Sequence, residues 1–301
     1  MKSALIALTM MSAAVSPALA QDDGAPELVE ALIVNARTPG PAWWSVSKGD
    51  AKVWVLGAGV AVPVNARWDS KAFERRIRGA ARVLVVPSST TDFQKETIRA
   101  DRVWAEELTD AERARLAEVA AATRRSPGFY AAFRPNFAGI LIKSELDARA
   151  KPKAGKAQDL EAKVRDLGAR VVPVGGQETK GMRDSFRIGQ HDDLRCLRWA
   201  LRPHDPAAMR QERAQAWMRG DVRALLIGPI GYDPCVQAMS TMQAAMEGGE
   251  TRMADAIAAS LDGGDGAVAM VGLTALLRQG GVLDQLRRRG YVVRTPAQLD
   301  D

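Results

Sequence analysis

Histidine is nearly absent from this chain: His191 and His204 are the only two among 301 residues. A metal site that relies on imidazole must therefore use one or both of them. Cysteine is equally rare, with Cys196 and Cys235 alone. An even pair favours a disulfide over a metal site or a redox motif. Beyond residue 20 no segment is long and apolar enough to span a bilayer, which takes ~20 apolar residues in a row. There is no G-x-S-x-G elbow, no P-loop and no dinucleotide-binding glycine fingerprint, so the best-marked sites for those chemistries are excluded. Internal repeats and low-complexity tracts are also missing.

What is present begins with an export signal. Residues 1–20 read MKSALIALTMMSAAVSPALA, with a charged start at Lys2, an apolar core from Ala4 to Val15, and Ala18-Leu19-Ala20 ahead of Gln21. This is the pattern of a secretory signal peptide cleaved after Ala20. The expected mature chain, 21–301, is periplasmic or secreted, has no membrane span, and is long enough for one large α/β domain. In an oxidising compartment Cys196 and Cys235 are expected to pair. The bridge would close a loop of about 40 residues, for which the chain-entropy model gives roughly 4 kcal/mol. Two unrelated buried thiols are the alternative. The formal charge is +6 and the pI about 9.5, but the basic residues are scattered among 36 acids. The clusters Arg75-Arg76-Ile77-Arg78 and Arg287-Arg288-Arg289 fall on predicted helices and read as solvated faces. For an exported chain that makes nucleic acid a poor candidate partner, while a weak attraction to anionic envelope polymers fits.

The stretch that organises the chain is 267–293. A short apolar run, Ala267 to Val271, meets Gly272 and a loop; a helix follows from about Gly281 to Arg289; Gly290 ends it before a second apolar run, Tyr291 to Val293. Strand, helix and strand describe a βαβ unit closing an α/β domain. The carboxyl end of such a strand faces the crevice where α/β proteins usually place their chemistry. Here it carries Leu273, Thr274 and Ala275, none of them a metal ligand, acid or base.

Earlier in the chain, Ala42 to Val46 and Ala51 to Gly57 read as a β-hairpin turning at Lys48-Gly49-Asp50. Its second strand is apolar on both faces and therefore central. A helix from Ser70 to Gly79 leads to a buried strand, Arg82 to Val86, that Pro87 ends. Thr109-Asp110-Ala111-Glu112 is a capping box opening a helix to Arg124. Phe137 to Lys143 fits helix or strand, and Ala148 to Gly155 is polar and turn-rich, the expected central loop. Gln158 to Leu167 is a helix stopped by Gly168, and Ala169 to Val174 a strand. Helices are expected over Asp192–Leu201 and 206–219, the latter capped by Gly220. Another helical region runs from Pro234 to Met246, resuming at Arg252–Leu261 after a break at Gly248-Gly249. Strands separated by helices with no shift in composition favour one α/β domain.

Several of these pieces, in this order, resemble the TraB/GumN family, whose relatives include the Tiki metalloproteases. They are Pro41-Ala42-Trp43-Trp44, Lys48-Gly49-Asp50, the strand Val53 to Leu56, Gly57, Trp68 and Val83 to Val86. Near the other end Trp217 with Gly220-Asp221 matches the family's W-x-x-G-D, and Val271-Gly272, Gly281, Leu286-Arg287 and Gly290-Tyr291 match its closing pattern. The resemblance covers nearly all of 21–301. It implies a central mixed sheet flanked by helices, and in the family a metal-dependent hydrolytic site. That site is associated with two G-x-x-H histidines, a glutamate after the second strand and an Arg-Asn pair in a late helix.

Carried over residue by residue, those ligands are missing. The first G-x-x-H is Gly57-Ala58-Gly59-Val60, and the second is Gly272-Leu273-Thr274-Ala275. The glutamate position falls at Val86 or Pro87, and the late pair near Gly249-Glu250. Valine and alanine offer no lone pair to a metal, and a catalytic zinc takes about three protein ligands. The expectation is a degenerate family member with no catalytic residues, metal or cofactor at these positions. It would bind a peptide or an envelope component in the relict cleft. Two alternatives stand beside it. One is an active metal-dependent hydrolase or peptidase with substituted ligands, drawing on His191, Asp192 or Asp193, and His204, or presenting Glu178 after Gly175-Gly176. The other is a structural or assembly partner, which should expose an apolar patch. Trp43, Trp44, Trp54 and Trp68 line a ligand groove or, as such residues more often do, pack a core.

Overall fold

The computed structural model describes residues 27–38, 40–86, 99–100, 102–154, 156–175, 194–203, 205–226, 235 and 240–299. The amino-terminal hairpin forms as its sequence predicts. Strand β1 (Trp43–Lys48) and strand β2 (Ala51–Ala58) pair antiparallel from Trp43↔Leu56 to Lys48↔Ala51. Gly49, at φ 57, supplies the left-handed residue of the turn. Helix α1 (Lys71–Arg78) then leads to β3 (Arg82–Val85). Much later come β4 (Val171–Pro173), β5 (Ala267–Gly272) and β6 (Val292–Arg294).

Among the described residues these make one mixed six-stranded sheet in the order β4-β3-β5-β2-β1-β6. The pairs β4/β3, β3/β5 and β5/β2 are parallel, and β1 runs against both β2 and β6. Ala267 to Val271 are all buried, as a central parallel strand covered on both faces requires. The closing unit is built differently from the simple βαβ of the sequence reading. Helix α10 (Leu273–Leu277) replaces the expected loop, α11 (Val282–Arg288) follows, and β6 pairs with β1 at the far edge rather than beside β5.

The remaining helices are, in chain order, α2 (Asp110–Thr123), α3 (Pro127–Ala131), α4 (Pro135–Ala154), α5 (Leu160–Asp166), α6 (Arg195–Leu201), α7 (Pro206–Met218), α8 (Val222–Leu226) and α9 (Ser240–Asp262). The capping box forms as read: Glu112 N–H donates to Thr109 Oγ1 at 3.2 Å, and Thr109 N–H to Glu112 Oε2 at 2.8 Å. Two further expectations fail, both where local punctuation loses to packing. The expected loop from Ala148 to Gly155 is helical through Ala154. Ala150 is buried there, Arg210 of α7 reaches the Asp147 carbonyl, and alanine, lysine and arginine are good helix formers. Nor do Gly248 and Gly249 break α9. Their cost is about 1 kcal/mol each. It is offset by a buried stripe of Met253, Ala254, Ile257 and Leu261 against the sheet.

Buried side chains form two clusters. One surrounds the sheet, with Trp44, Val55, Phe73, Val268 and Leu286 among its members. The other, including Trp104, Leu116, Tyr130, Ile142 and Leu197, lies within the helices of 104–201. There α4 and α6 approach so closely that a Cβ on Gly139 would stand 2.8 Å from the backbone of Cys196 and Leu197. Helix α7 packs along α4, yet its Ala216 and Trp217 belong to the sheet cluster, so it joins the two. The predicted disulfide is formed, Cys196 of α6 to Cys235, with Cα atoms 4.4 Å apart. No helix among the described residues is long and apolar enough to cross a membrane.

Candidate functional site

The crevice of interest lies past the carboxyl ends of β2, β3 and β5. Ala58 pairs with Gly272, so β2 and β5 end side by side. Helix α10 starts directly at Leu273, which is 7% exposed. A Cβ on Gly57 would be 2.5 Å from Leu273 Cδ2 and 3.1 Å from the Trp44 ring, so glycine is what lets Leu273 seat over the strand. From the other side Trp217 Nε1 donates to the Gly57 carbonyl at 2.7 Å. Val60 and Ala275, which the resemblance sets at the two histidine positions, are half-buried and packed against the sheet cluster. Val86 is exposed; Pro87 lies outside the described residues.

Among the described residues, Glu250 and Arg278 near this end are committed to one another. Glu250 sits at the middle of α9 and is 3% exposed. Arg278, just past α10, donates to both of its oxygens, at 2.8 and 2.5 Å. A buried carboxylate held this way has its charge compensated and its acceptor sites filled. It would have to give up the guanidinium before it could take a proton from a substrate. Arg252, two residues further along α9, reaches Gly175 beyond β4. A Cβ on Gly175, at φ 91, would lie 3.0 Å from Arg252 Nε. Sequence reasoning marked the Gly249-Glu250 region only as the place of a missing pair. The partnership with Arg278, across 28 residues, has no local signal.

The donor set does not fit a resident metal. Val60 and Ala275 have no lone pair, the Gly57 carbonyl is taken by Trp217, and Glu250 by Arg278. Among the described residues no three His, Cys, Asp or Glu side chains converge. Glu178, His191, Asp192, Asp193 and His204 lie outside the described residues.

The W-x-x-G-D residues have architectural work instead. Gly220 is left-handed at φ 66, and a Cβ there would be 2.4 Å from Ala36 Cβ and 2.8 Å from the Gly40 carbonyl. Asp221 Oδ1 accepts from Ala224 N–H at 3.0 Å, starting α8. The tryptophans divide. Trp43 and Trp44 are buried. Trp68 meets Phe73 and Trp217 edge-on, with ring centroids 5.7 and 5.2 Å away, and these three pack the core. Trp54 borders a surface depression at the opposite, amino end of the strands. The arginine cluster on α1 is also not uniformly solvated: Arg76 is only 8% exposed, whereas Arg287, Arg288 and Arg289 lie on the surface. A second depression, of about 550 Å³, lies beside Trp104 in the helical region.

A model of the TraB/PrgY/gumN family matches residues 42–295, from the first strand to the last. No curated protein and no solved structure matches the chain.

Proposed function

The chain belongs to the TraB/PrgY/gumN family, and on that premise we propose that it is an exported binding protein that has lost the metal-dependent hydrolysis its family resemblance implies. The observation that carries this reading is the strand end itself. Val60 and Ala275 stand at the histidine positions packed on the core, and Leu273 is seated over Gly57. The export signal of residues 1–20 and the Cys196–Cys235 bridge support a periplasmic or secreted location, since disulfides persist in oxidising compartments. The ligand class this favours is a peptide or an envelope component. The assembly-partner reading draws less support. The large apolar side chains exposed among the described residues are Val64, Val86, Val103 and Val292, single valines spread over separate loops and one edge strand, which is ordinary for a surface.

The test is the metal content of the purified mature protein by elemental mass spectrometry, after incubation with zinc, manganese and cobalt and then desalting. The expected result is no retained metal. Near-stoichiometric metal, lost on His191→Ala and His204→Ala, would overturn the reading and turn the search to hydrolase activity with substituted ligands.

A further inference from the structure

Residues 27–38 lie ahead of the family match, which begins at residue 42, yet both ends of this segment are fastened to the matched region. At its start Leu28 forms an antiparallel bridge with Arg278. Two backbone bonds flank the bridge: Val29 N–H donates to the Leu277 carbonyl at 2.9 Å, and Gln279 N–H to the Glu27 carbonyl at 2.7 Å. Further on, a single 3₁₀ turn, Glu30–Leu32, leads into a buried pair, Leu32 and Ile33. Trp44 Nε1 donates to the Leu32 carbonyl there at 3.2 Å. Ala36 N–H then donates to the Gly220 carbonyl at 3.0 Å, and its methyl takes the space beside Gly220 that a side chain would need. The segment is therefore a strap from the end of α10 to the turn before α8.

Its two ends are held unequally. The stretch Leu32 to Ala36 has two buried apolar side chains and a buried indole bond. The stretch Glu27 to Val29 is held by its two backbone bonds, with Glu27 exposed and Leu28 and Val29 only half-buried. Segments with few buried apolar contacts and accessible backbone bonds open first, so the leading end opens while Leu32 and Ile33 stay seated. What that end holds is the backbone of Arg278. This residue leaves α10 extended, at φ −71 and ψ 161, as pairing with Leu28 requires. From that backbone its guanidinium reaches both oxygens of Glu250. The weakest part of the strap thus supports the ion pair that occupies the carboxyl end of the sheet.

We propose that Glu27–Val29 is a latch: seated, it keeps Arg278 on Glu250 and the carboxyl-end crevice closed, and released, with the strap still anchored at Leu32 and Ile33, it opens the crevice to a ligand. Its role as a gate rests on the reading of that crevice as the binding site. Hydrogen exchange on the ¹⁵N-labelled mature protein tests the latch whether or not that reading holds. In the wild type, Val29 N–H, Gln279 N–H and Arg278 Nε–H should share one opening, with protection about tenfold or more below that of Ala36 N–H. Val29→Pro removes the donor to Leu277. It should lower the protection of Gln279 N–H and Arg278 Nε–H about tenfold further and leave Ala36 N–H as it was. Wild-type Ala36 N–H opening together with Gln279 N–H would mean that the segment comes away as one piece, and the latch is overturned. Arg278 Nε–H keeping its protection in Val29→Pro overturns it as well, because the ion pair then stands without the strap.

Discussion

The two ends of one sheet have been finished in opposite ways. At the carboxyl ends of the strands, Leu273 covers Gly57, and Glu250 and Arg278 cancel each other in a nearly buried pair. At the amino ends, Lys52, Arg75 and Arg76 crowd a depression floored by glycine. α/β proteins generally place chemistry at the carboxyl ends. The fold offers that place by its topology, but the side chains decide whether it is used. Here, among the described residues, Leu273 and the Glu250–Arg278 pair occupy the conventional end, while Lys52, Arg75 and Arg76 are grouped at the other.

Three measurements would break or sharpen this contrast, beginning with the largest effect. Replacing both cysteines, Cys196→Ser with Cys235→Ser, removes the tie between the helical cluster and the chain just ahead of α9, the helix that carries Glu250. The expected loss is roughly 4 kcal/mol in urea unfolding. A loss below about 1 kcal/mol would mean the two clusters hold each other without it. Next, Glu250→Ala removes the carboxylate that Arg278 grips at the carboxyl end. About 3 kcal/mol should be lost, the low side of the range for breaking a buried pair, because Arg278 keeps some access to water. Unchanged stability there would show that the pair does not hold this end together.

The smallest effect belongs to the helical region and serves as the reference. Tyr130 donates to Glu145 Oε2 at 2.6 Å and lies 2.6 Å from Thr123 Oγ1. Burial, then the hydrogen bond to Glu145, pushes its phenol from 10.0 up to about 12. A folded state that holds this proton more tightly than the unfolded chain is favoured at all pH values below 10. It loses that advantage as the pH rises from 10 to about 12. Tyr130→Phe should therefore cost about 1 kcal/mol at neutral pH and flatten the alkaline decline of stability. If wild type and variant decline in parallel above pH 10, the network does not hold the proton.

Much of the fold could be read from the residues because its signals are local. The hairpin turns on Gly49, β5 is an unbroken apolar run, and Thr109 with Glu112 announces α2. The two cysteines left one pairing to expect. What escaped depends on partners far away in sequence. Gly248-Gly249 reads as a break until the buried stripe of α9 meets the sheet, and Ala148 to Gly155 reads as a loop until α4 packs against α6 and α7. Arg76 reads as solvated because nothing beside it announces that Trp43 and Trp54 enclose its guanidinium. The candidate site follows the same division. The resemblance set Val60 and Ala275 at its histidine positions from sequence alone, whereas the partnership of Glu250 with Arg278 and the seating of Leu273 over Gly57 came only with tertiary structure.

The position of β5 has a consequence for when this molecule can take shape. The strand that separates β2 from β3 begins at residue 267, more than two hundred residues after β2 begins at 51, and β6, which completes the other edge, is later still. Until the ribosome has released nearly the whole chain, β2 and β3 have no common neighbour and the sheet has no centre. Pairing over such separations is also slow. The sheet thus stays uncommitted for almost the entire synthesis of the chain, and the strands made first wait on the ones made last.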